Sequence, residues 1–276
     1  MINATGNRMT REIARQSRLA QDIAATQVQV SSGKRLTRAS DDPAASARIA
    51  ALRTAQANDF AWKTNISLGQ TLTAQADSVL KNASDLLVRA KELSIAGANQ
   101  ALSPSDRGAI AIELTALADE IESLSDVSSS LGEPLFASGG ARIMRFDGDT
   151  TFAPVPNKAA LFDSGGQSAA QHVRDAATAI ASGNASAISA SLTALNGAID
   201  QIATSQAQLG INAARLDRIA ESQATRAIEN SAERSVLEDT DLTEAIARLN
   251  AQTITLEAAQ AAFARINRRT LFDILG

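Results

Sequence analysis

The residue types that perform catalysis and bind metals are scarce in this sequence. Its 276 residues include no cysteine and one histidine, His172. Without cysteine there is no thiol nucleophile, disulfide or cysteine-bound metal, and one histidine excludes the usual multi-histidine metal clusters. Because His172 lies in an alanine-rich helical stretch, we predict that its role is structural. No glycine motif of the phosphate-binding or dinucleotide-binding type is present. The sequence predicts a protein that is not an enzyme and that binds no cofactor or metal.

Pairs of adjacent acidic residues are the remaining candidates for acid–base chemistry or cation binding. Asp41 and Asp42 precede Pro43, and an aspartate before a proline at the first helical position is a helix cap. Two other pairs lie in predicted helices: Asp119 with Glu120, and Glu238 with Asp239. Successive helical residues point in different directions, so we predict solvated surfaces for both pairs. No catalytic or ion-binding site is assigned to these acids.

Arginine is the side chain best suited to phosphate, and four arginines follow one flank of the first predicted helix: Arg8, Arg11, Arg15 and Arg18. The formal charge of the chain is -4, whereas nucleic-acid binding favours a basic protein. Charges that flank an apolar stripe are common in coiled coils. We therefore predict no nucleic-acid partner. We also predict no membrane insertion, because no run of about 18 apolar residues is present.

Apolar residues recur every three and four positions at both ends of the chain, a pattern that predicts helices packed on other helices. Polar and small residues interrupt both stripes, so each terminal helix is expected to be marginal in isolation. The stripes either close within one chain, as in a monomeric bundle, or are buried when another subunit arrives. The predicted assembly interface consists of the apolar members: Met9, Ile13, Ile23, Val30, Leu242, Ile246, Leu249, Leu256 and Phe263.

Helix-start and helix-stop residues divide the rest of the chain. Gly33 predicts the end of the first helix, Asp42 and Pro43 start a second helix over 43–96, and Ser103 with Pro104 starts a third. The stripe of the third helix continues to Leu131. Glycine and proline crowd residues 132–166, which predicts hairpin and loop structure, and helices then resume. A cap at Asp241 starts the last helix.

The predicted fold is dominated by α-helix: an elongated antiparallel helical rod or coiled coil with a short β-hairpin or loop insertion in the middle. The composition agrees, because 45% hydrophobic content with only 3% aromatic residues suits narrow helix–helix contacts. The predicted domains are an N-terminal assembly helix over 1–32, rod helices over 33–132, the insertion over 133–167, rod helices over 168–238, and a C-terminal assembly helix over 239–276.

Four segments, in order, resemble the bacterial flagellin family, which includes filament subunits and hook-associated junction proteins. They are "SSGKRLTRASDDPAAS" (31–46), "RAKELSIAGANQALSPSDRGAIAIEL" (89–114), "LGINAARLDRI" (209–219) and the final segment over 236–275. The resemblance implies a structural subunit of the bacterial flagellum, located outside the cell and exported unfolded without a cleavable signal peptide. The implied partners are copies of the same chain, other hook-associated proteins, flagellin and a cytoplasmic export chaperone.

Within the family, three short segments resemble junction proteins more than filament subunits: "SDDP" (40–43), "PLFASGG" (134–140) and "TLFDIL" (270–275). The resemblance therefore implies a place at the hook–filament junction. A short filament flagellin is the alternative.

Three residues, Arg89, Leu93 and Glu113, correspond to a patch that innate immune receptors recognise in some flagellins. The other interpretation, which we favour, is an ordinary helix surface with a partly buried Leu93. A function of another class, a secreted helical adhesin or carbohydrate-binding module, would use the middle segment as its contact loop. The chain has no tyrosine and one tryptophan, Trp62, so few side chains are suited to stacking on sugars.

Overall fold

The computed structural model describes the backbone of residues 2–275 and the side chains of residues 9–265. Within this part of the chain helix predominates, and the strands form two short hairpins. The predicted α-dominated fold with a small β insertion is confirmed. The chain divides into two compact units: unit 1 is Met1–Ala57 with Arg226–Gly276, and unit 2 is Asn58–Thr225. The side chains of "TLFDIL" (270–275) and of Arg8 lie outside the described residues.

The helices are α1 (Ile2–Ser32), α2 (Pro43–Gly97), α3 (Pro104–Ser125), α4 (Lys158–Phe162), α5 (Ala169–Ser182), α6 (Ala185–Glu238) and α7 (Leu242–Leu275). The strands are β1 (Met144–Arg145), β2 (Thr151–Phe152), β3 (Asp163–Ser164) and β4 (Gln167–Ser168). Strand β1 pairs antiparallel with β2, and β3 pairs antiparallel with β4. None of the described helices has a stretch apolar enough to cross a membrane.

Local caps fix the helix ends that the sequence predicts. Gly33 closes α1 with a φ of 70°, in the left-handed region that glycine adopts most readily. Asp42 Oδ1 accepts the amide N–H of Ala45 at 3.0 Å, as expected of the N-cap of α2. Ser103 and Asp106 form a reciprocal capping box at the start of α3. These three predictions are confirmed.

The predicted continuation of α3 to Leu131 is wrong. The helix ends at Ser125, and the following residues form a turn in which the amide of Ser129 donates to the carbonyl of Glu133 at 2.7 Å. Gly132 allows this turn with a φ of 78°. Leu131 matches the spacing of the stripe, but it is 55% exposed and is not part of the core.

The core of unit 2 is built from small and aliphatic side chains on α2, α3, α5 and α6. Its fully buried members are Ala76, Leu80, Ala83, Leu87, Ala90, Leu114, Ala118, Val173, Ala176, Ile180, Leu195 and Ile202. Alternating alanine with larger residues lets helix backbones approach closely while the larger side chains fill the remaining space. Helices α3 and α5 pack against each other, and Arg174 on α5 forms ion pairs with Asp119 and Glu122 on α3.

The β1–β2 hairpin packs against α2 and α6 through Phe146, which has no exposed surface. Its ring lies in a small cluster with Ile66 and Leu216. The hairpin backbone is also held by side chains: Asn65 Nδ2 donates to the carbonyl of Arg145 at 2.8 Å, and Gln223 Nε2 donates to that of Phe146 at 2.7 Å. This attachment satisfies two backbone carbonyls that the two-residue strands leave unpaired.

Candidate assembly surface

Unit 1 pairs the two terminal helices of the chain antiparallel to each other. Gln16 Nε2 lies 3.4 Å from the carbonyl oxygen of Ala259, and Thr26 Oγ1 donates to Gln252 Oε1 at 3.0 Å. As residue numbers rise along α1, the numbers of the contacting residues on α7 fall, so the two helices run antiparallel. Thr26 is buried, and the carbonyl oxygen of Asp22, 2.9 Å from its Oγ1, is a second acceptor for the single hydroxyl proton. These polar groups in the seam are satisfied, as burial requires.

Five of the nine predicted interface residues are half-buried on the paired helices: Ile23, Val30, Leu249, Leu256 and Phe263. Ala245, which the predicted stripe omits, is almost fully buried. The seam combines these apolar groups with small and polar residues, so it buries little apolar surface per turn.

The other four predicted residues remain exposed on the same helices. Their exposed fractions are 44% for Met9, 52% for Ile13, 47% for Leu242 and 47% for Ile246. The pairing of α1 with α7 therefore uses only part of each apolar stripe, and a second set of apolar side chains is left in water. In the observed alignment Met9 and Ile13 lie toward one end of the helix pair, and Leu242 and Ile246 lie toward the other end. Exposed apolar side chains are therefore present at both ends of the pair.

Two further exposed apolar residues on these helices are absent from the prediction, Val28 on α1 and Ile254 on α7. Both lie off the three-and-four stripe, so periodicity did not select them. A simpler sequence signal would have identified them: each is a β-branched apolar residue at a position where the stripe predicts a polar residue.

Where α1 ends and α7 begins, loop residues 33–42 contact residues 237–240, which include the turn between α6 and α7. We call this set of contacts the clasp. The amide of Arg35 donates to the carbonyl of Glu238 at 2.8 Å, and the amide of Thr240 donates to that of Gly33 at 2.9 Å. Arg35 Nη2 reaches the carbonyl of Leu237 at 3.0 Å. The clasp thus connects the end of α1 to the start of α7, which Asp241 caps as predicted.

Glu238 occupies the centre of the clasp and is 8% exposed. Its Oε1 lies 2.5 Å from Lys34 Nζ and 2.8 Å from Arg53 Nη2, and its Oε2 lies 3.7 Å from Arg234 Nε. The hydrogen bond from Lys34 is the main cause that lowers the pKa of the Glu238 carboxyl below its usual value, and burial opposes it. The prediction that Glu238 lies on a solvated surface is wrong, because Lys34 of the loop and Arg53 of α2 contact its carboxylate, as does Arg234 on α6.

Asp41 and Asp42 have local structural roles, as the sequence predicts. Asp41 Oδ2 accepts the backbone N–H of Arg38 at 2.8 Å and also the hydroxyl of Thr37 at 3.1 Å. The hydrogen bond from Arg38 lowers the pKa of the Asp41 carboxyl. Asp42 caps α2, so both carboxylates are used to shape the loop.

The three residues of the possible receptor patch lie together in unit 2. Arg89 Nη2 pairs with Glu113 Oε1 at 3.0 Å, and that hydrogen bond raises the pKa of Arg89. Leu93 is only 8% exposed and belongs to the core. The apolar member of the patch is therefore not available at the surface of this conformation.

His172 is buried in unit 2, where its Nε2 lies 2.9 Å from the carbonyl oxygen of Ser164 and 3.0 Å from the hydroxyl of the same residue. These contacts join α5 to β3 and give the ring a structural role. Among residues with described side chains, no group of three or more histidine, aspartate or glutamate residues is placed to hold a metal ion.

Comparison with known proteins gives two family matches. The model of the bacterial flagellin N-terminal helical region matches residues 3–140, and that of the bacterial flagellin C-terminal helical region matches residues 192–275. No curated protein sequence gives a significant match.

Several solved structures have a similar fold. A Vibrio parahaemolyticus protein assigned as a flagellar hook-associated protein is 20% identical, with 72% of this chain and 99% of that one covered and a TM-score of 0.64. The flagellar hook-associated protein-3 of Legionella pneumophila is 12% identical, with 68% and 98% covered and a TM-score of 0.62. FlgL of Bacillus cereus is 15% identical, with 65% and 96% covered and a TM-score of 0.55.

Proposed function

Because the chain belongs to the bacterial flagellin family, we propose that it is a structural subunit of the bacterial flagellum that self-associates through α1 and α7. The proposed role is mechanical and not catalytic. Its partners are copies of the same chain and other axial proteins, and its location is the flagellum outside the cell. A cytoplasmic chaperone that holds α7 before export is part of the same proposal.

One observation carries this function: α1 and α7 pair through part of their apolar stripes and leave Met9, Ile13, Leu242 and Ile246 exposed. A subunit that assembles needs helices that are ordered enough to present a surface and still have apolar area to bury. Complete burial of a fully exposed side chain of this size is worth about 1.5–3 kcal/mol, so burial of the exposed half is worth about 0.8–1.5 kcal/mol. The seam between α1 and α7 is rich in small and polar residues, so a neighbouring subunit supplies the additional burial.

Within the flagellum we propose a position at the hook–filament junction. The segments "SDDP", "PLFASGG" and "TLFDIL" support it, because they resemble junction proteins more than filament subunits. The Vibrio and Legionella proteins that share this fold are hook-associated proteins by description. A short filament flagellin is the competing assignment.

Seeded growth separates the two assignments. Purified full-length protein is added to hook ends and to filament seeds, and the products are viewed by negative-stain electron microscopy. Short additions confined to hook ends support the junction role, whereas long filaments of this protein alone identify a filament flagellin. Failure to join either kind of end contradicts the proposed function.

The surface itself is tested by substitutions at exposed positions of the full chain. We expect Ile13→Gln with Ile246→Gln to leave the monomer folded, because both side chains are about half in water. Loss of about 1 kcal/mol at each site would raise the concentration needed for assembly by about 30-fold. The matched control is Ile13→Leu with Ile246→Leu, which keeps the apolar surface. Equal assembly of the Gln and Leu variants would show that neither exposed site belongs to the interface.

A further inference from the structure

The seam between α1 and α7 contains few polar contacts that favour one alignment. Its contacts include Gln16, Thr26, Gln252 and Ala259, which are polar or small. Gln16 and Gln252 are able to hydrogen-bond to more than one backbone or side-chain partner. In a coiled coil a polar residue in the seam helps to specify the register, at a cost in stability. The contact of Thr26 with Gln252 is of this kind, and contacts outside the seam can add to it.

The clasp is placed to do this. The amide of Thr240 bonds to the carbonyl of Gly33, and Lys34 forms an antiparallel bridge with Asp239. Helix α1 ends one residue before Gly33, and α7 starts two residues after Thr240. A displacement of one helix along the other would therefore have to stretch or break these bonds.

Glu238 is the residue that holds the clasp closed. Its buried carboxylate accepts Lys34 from the loop and Arg53 from α2, and Arg234 lies on the same side of α6. The three cations are partly exposed, with side-chain exposures of 50% for Lys34, 59% for Arg53 and 37% for Arg234, so only the carboxylate is buried. Replacing the carboxylate by a neutral amide would weaken its contacts with Lys34 and Arg53, because a charge-assisted hydrogen bond is stronger than a neutral one. Glu233, about one turn earlier on α6, is a suitable control. It also pairs with an arginine of α2, Arg48, at 2.6 Å, but it is half-exposed and its ion pair does not involve the loop.

We infer that Glu238 is a positioning residue for assembly, which holds loop 33–42 so that α1 and α7 pair in a single register. The effect of this register on polymerisation rests on the proposed function. The register itself is a property of the monomer and is tested there.

Because the chain lacks cysteine, introduced pairs report the register without interference. Gln16→Cys with Ala259→Cys marks the observed alignment, and Gln16→Cys with Gln252→Cys marks an alignment shifted by one heptad. Each pair is made in the full-length chain, alone and together with Glu238→Gln or Glu233→Gln, and is treated with a short bismaleimide. The readout is the ratio of crosslinking between the two pairs, because a general loss of stability lowers both without favouring one.

We expect Glu238→Gln to lower the ratio of observed to shifted crosslinking about tenfold, as for a difference of about 1.4 kcal/mol. Glu233→Gln should leave the ratio unchanged. Lys34→Gln, which removes the nearest cation, should reproduce the direction of the change. Far-ultraviolet circular dichroism of the full-length chain checks that each variant keeps its helices, because the substituted residues lie in unit 1 and Trp62 lies in unit 2.

Equal ratios for the cysteine pairs with and without Glu238→Gln overturn the inference, and so does an equal shift in Glu233→Gln. The same proteins are then added to hook and filament ends. If the unsubstituted chain joins no end, the proposed function fails while the register result stands. If the unsubstituted chain joins and Glu238→Gln has a normal register, the clasp inference alone fails.

Discussion

The docking of the β1–β2 hairpin depends on the absence of a side chain at Gly69 on α2. A Cβ added there would lie 2.9 Å from Phe146 Cε1, 3.2 Å from Phe146 Cζ and 3.2 Å from Leu216 Cδ1. The Phe146 ring is fully buried, and the carbonyl of the same residue is held by Gln223. The ring therefore has no open space into which it can withdraw, and we expect Gly69→Ala to force the hairpin away from α2.

The magnitude follows from two opposing effects. Alanine in place of glycine inside a helix gains about 1 kcal/mol, and inserting a methyl group into a filled site costs about 1–3 kcal/mol. We expect a net loss of about 1 kcal/mol for Gly69→Ala. Gly210, inside α6, has no atom within 4 Å of an added Cβ, so Gly210→Ala should gain about 1 kcal/mol.

The two variants should thus differ in melting temperature by about 4–8 °C, with opposite signs relative to the unsubstituted chain. Trp62 is a convenient reporter, because its Cη2 lies 4.0 Å from the Cβ position of Gly148 in the hairpin loop. Thermal unfolding followed by tryptophan emission and by circular dichroism measures the difference. Combining Gly69→Ala with Phe146→Leu should recover part of the loss, since the shorter side chain vacates the site. Equal stabilisation by both alanine substitutions would refute the reasoning.

Three other predictions concern unit 1 and the possible receptor patch. The pKa of Glu238 is lower in the folded chain than in the unfolded chain, so its ion pairs stabilise unit 1 fully above the unfolded pKa, near 4.5. This stabilisation is lost as pH falls through the lower folded pKa. Hydrogen-exchange protection of α1 and α7 should therefore fall less between pH 6 and acid pH in Glu238→Gln than in the unsubstituted chain. Asp42→Ala should remove the N-cap of α2 and cost about 1 kcal/mol, whereas Asp42→Asn keeps the acceptor and should cost less, as measured by urea unfolding. Purified monomer should not activate an innate immune receptor reporter through Arg89, Leu93 and Glu113, because Leu93 is buried; activation that is lost in Arg89→Ala would contradict this.

The helix boundaries show how far local sequence information extends. Gly33, Asp42 and Ser103 act through their own backbone neighbours, so their caps were predicted correctly. The continuation of α3 to Leu131 failed because spacing alone does not distinguish a helical turn from the hydrogen-bonded turn that Ser129 and Glu133 form. The periodic match at Leu131 had no packing partner.

The candidate surface was predicted only in part for a related reason. The stripes on α1 and α7 identified apolar residues, but a seven-residue repeat drifts around a helix with 3.6 residues per turn. Which members face the partner helix is decided by the pairing, which half-buries Ile23 and Leu249 and leaves Ile13 and Ile246 exposed. Val28 and Ile254, outside the stripes, became candidates only from their exposure.

The sequence by itself determined the α-dominated fold, most helix ends, the position of the β insertion and the flagellin family, because periodicity, capping and ordered motifs act over short stretches of chain. Tertiary structure alone decided which part of each apolar stripe pairs within the chain and that Glu238 is buried. Its cations, Lys34, Arg53 and Arg234, come from three different segments. A buried charge needs partner groups around it, and two of these partners, Lys34 and Arg53, are distant from Glu238 in sequence, so local sequence patterns do not predict its burial.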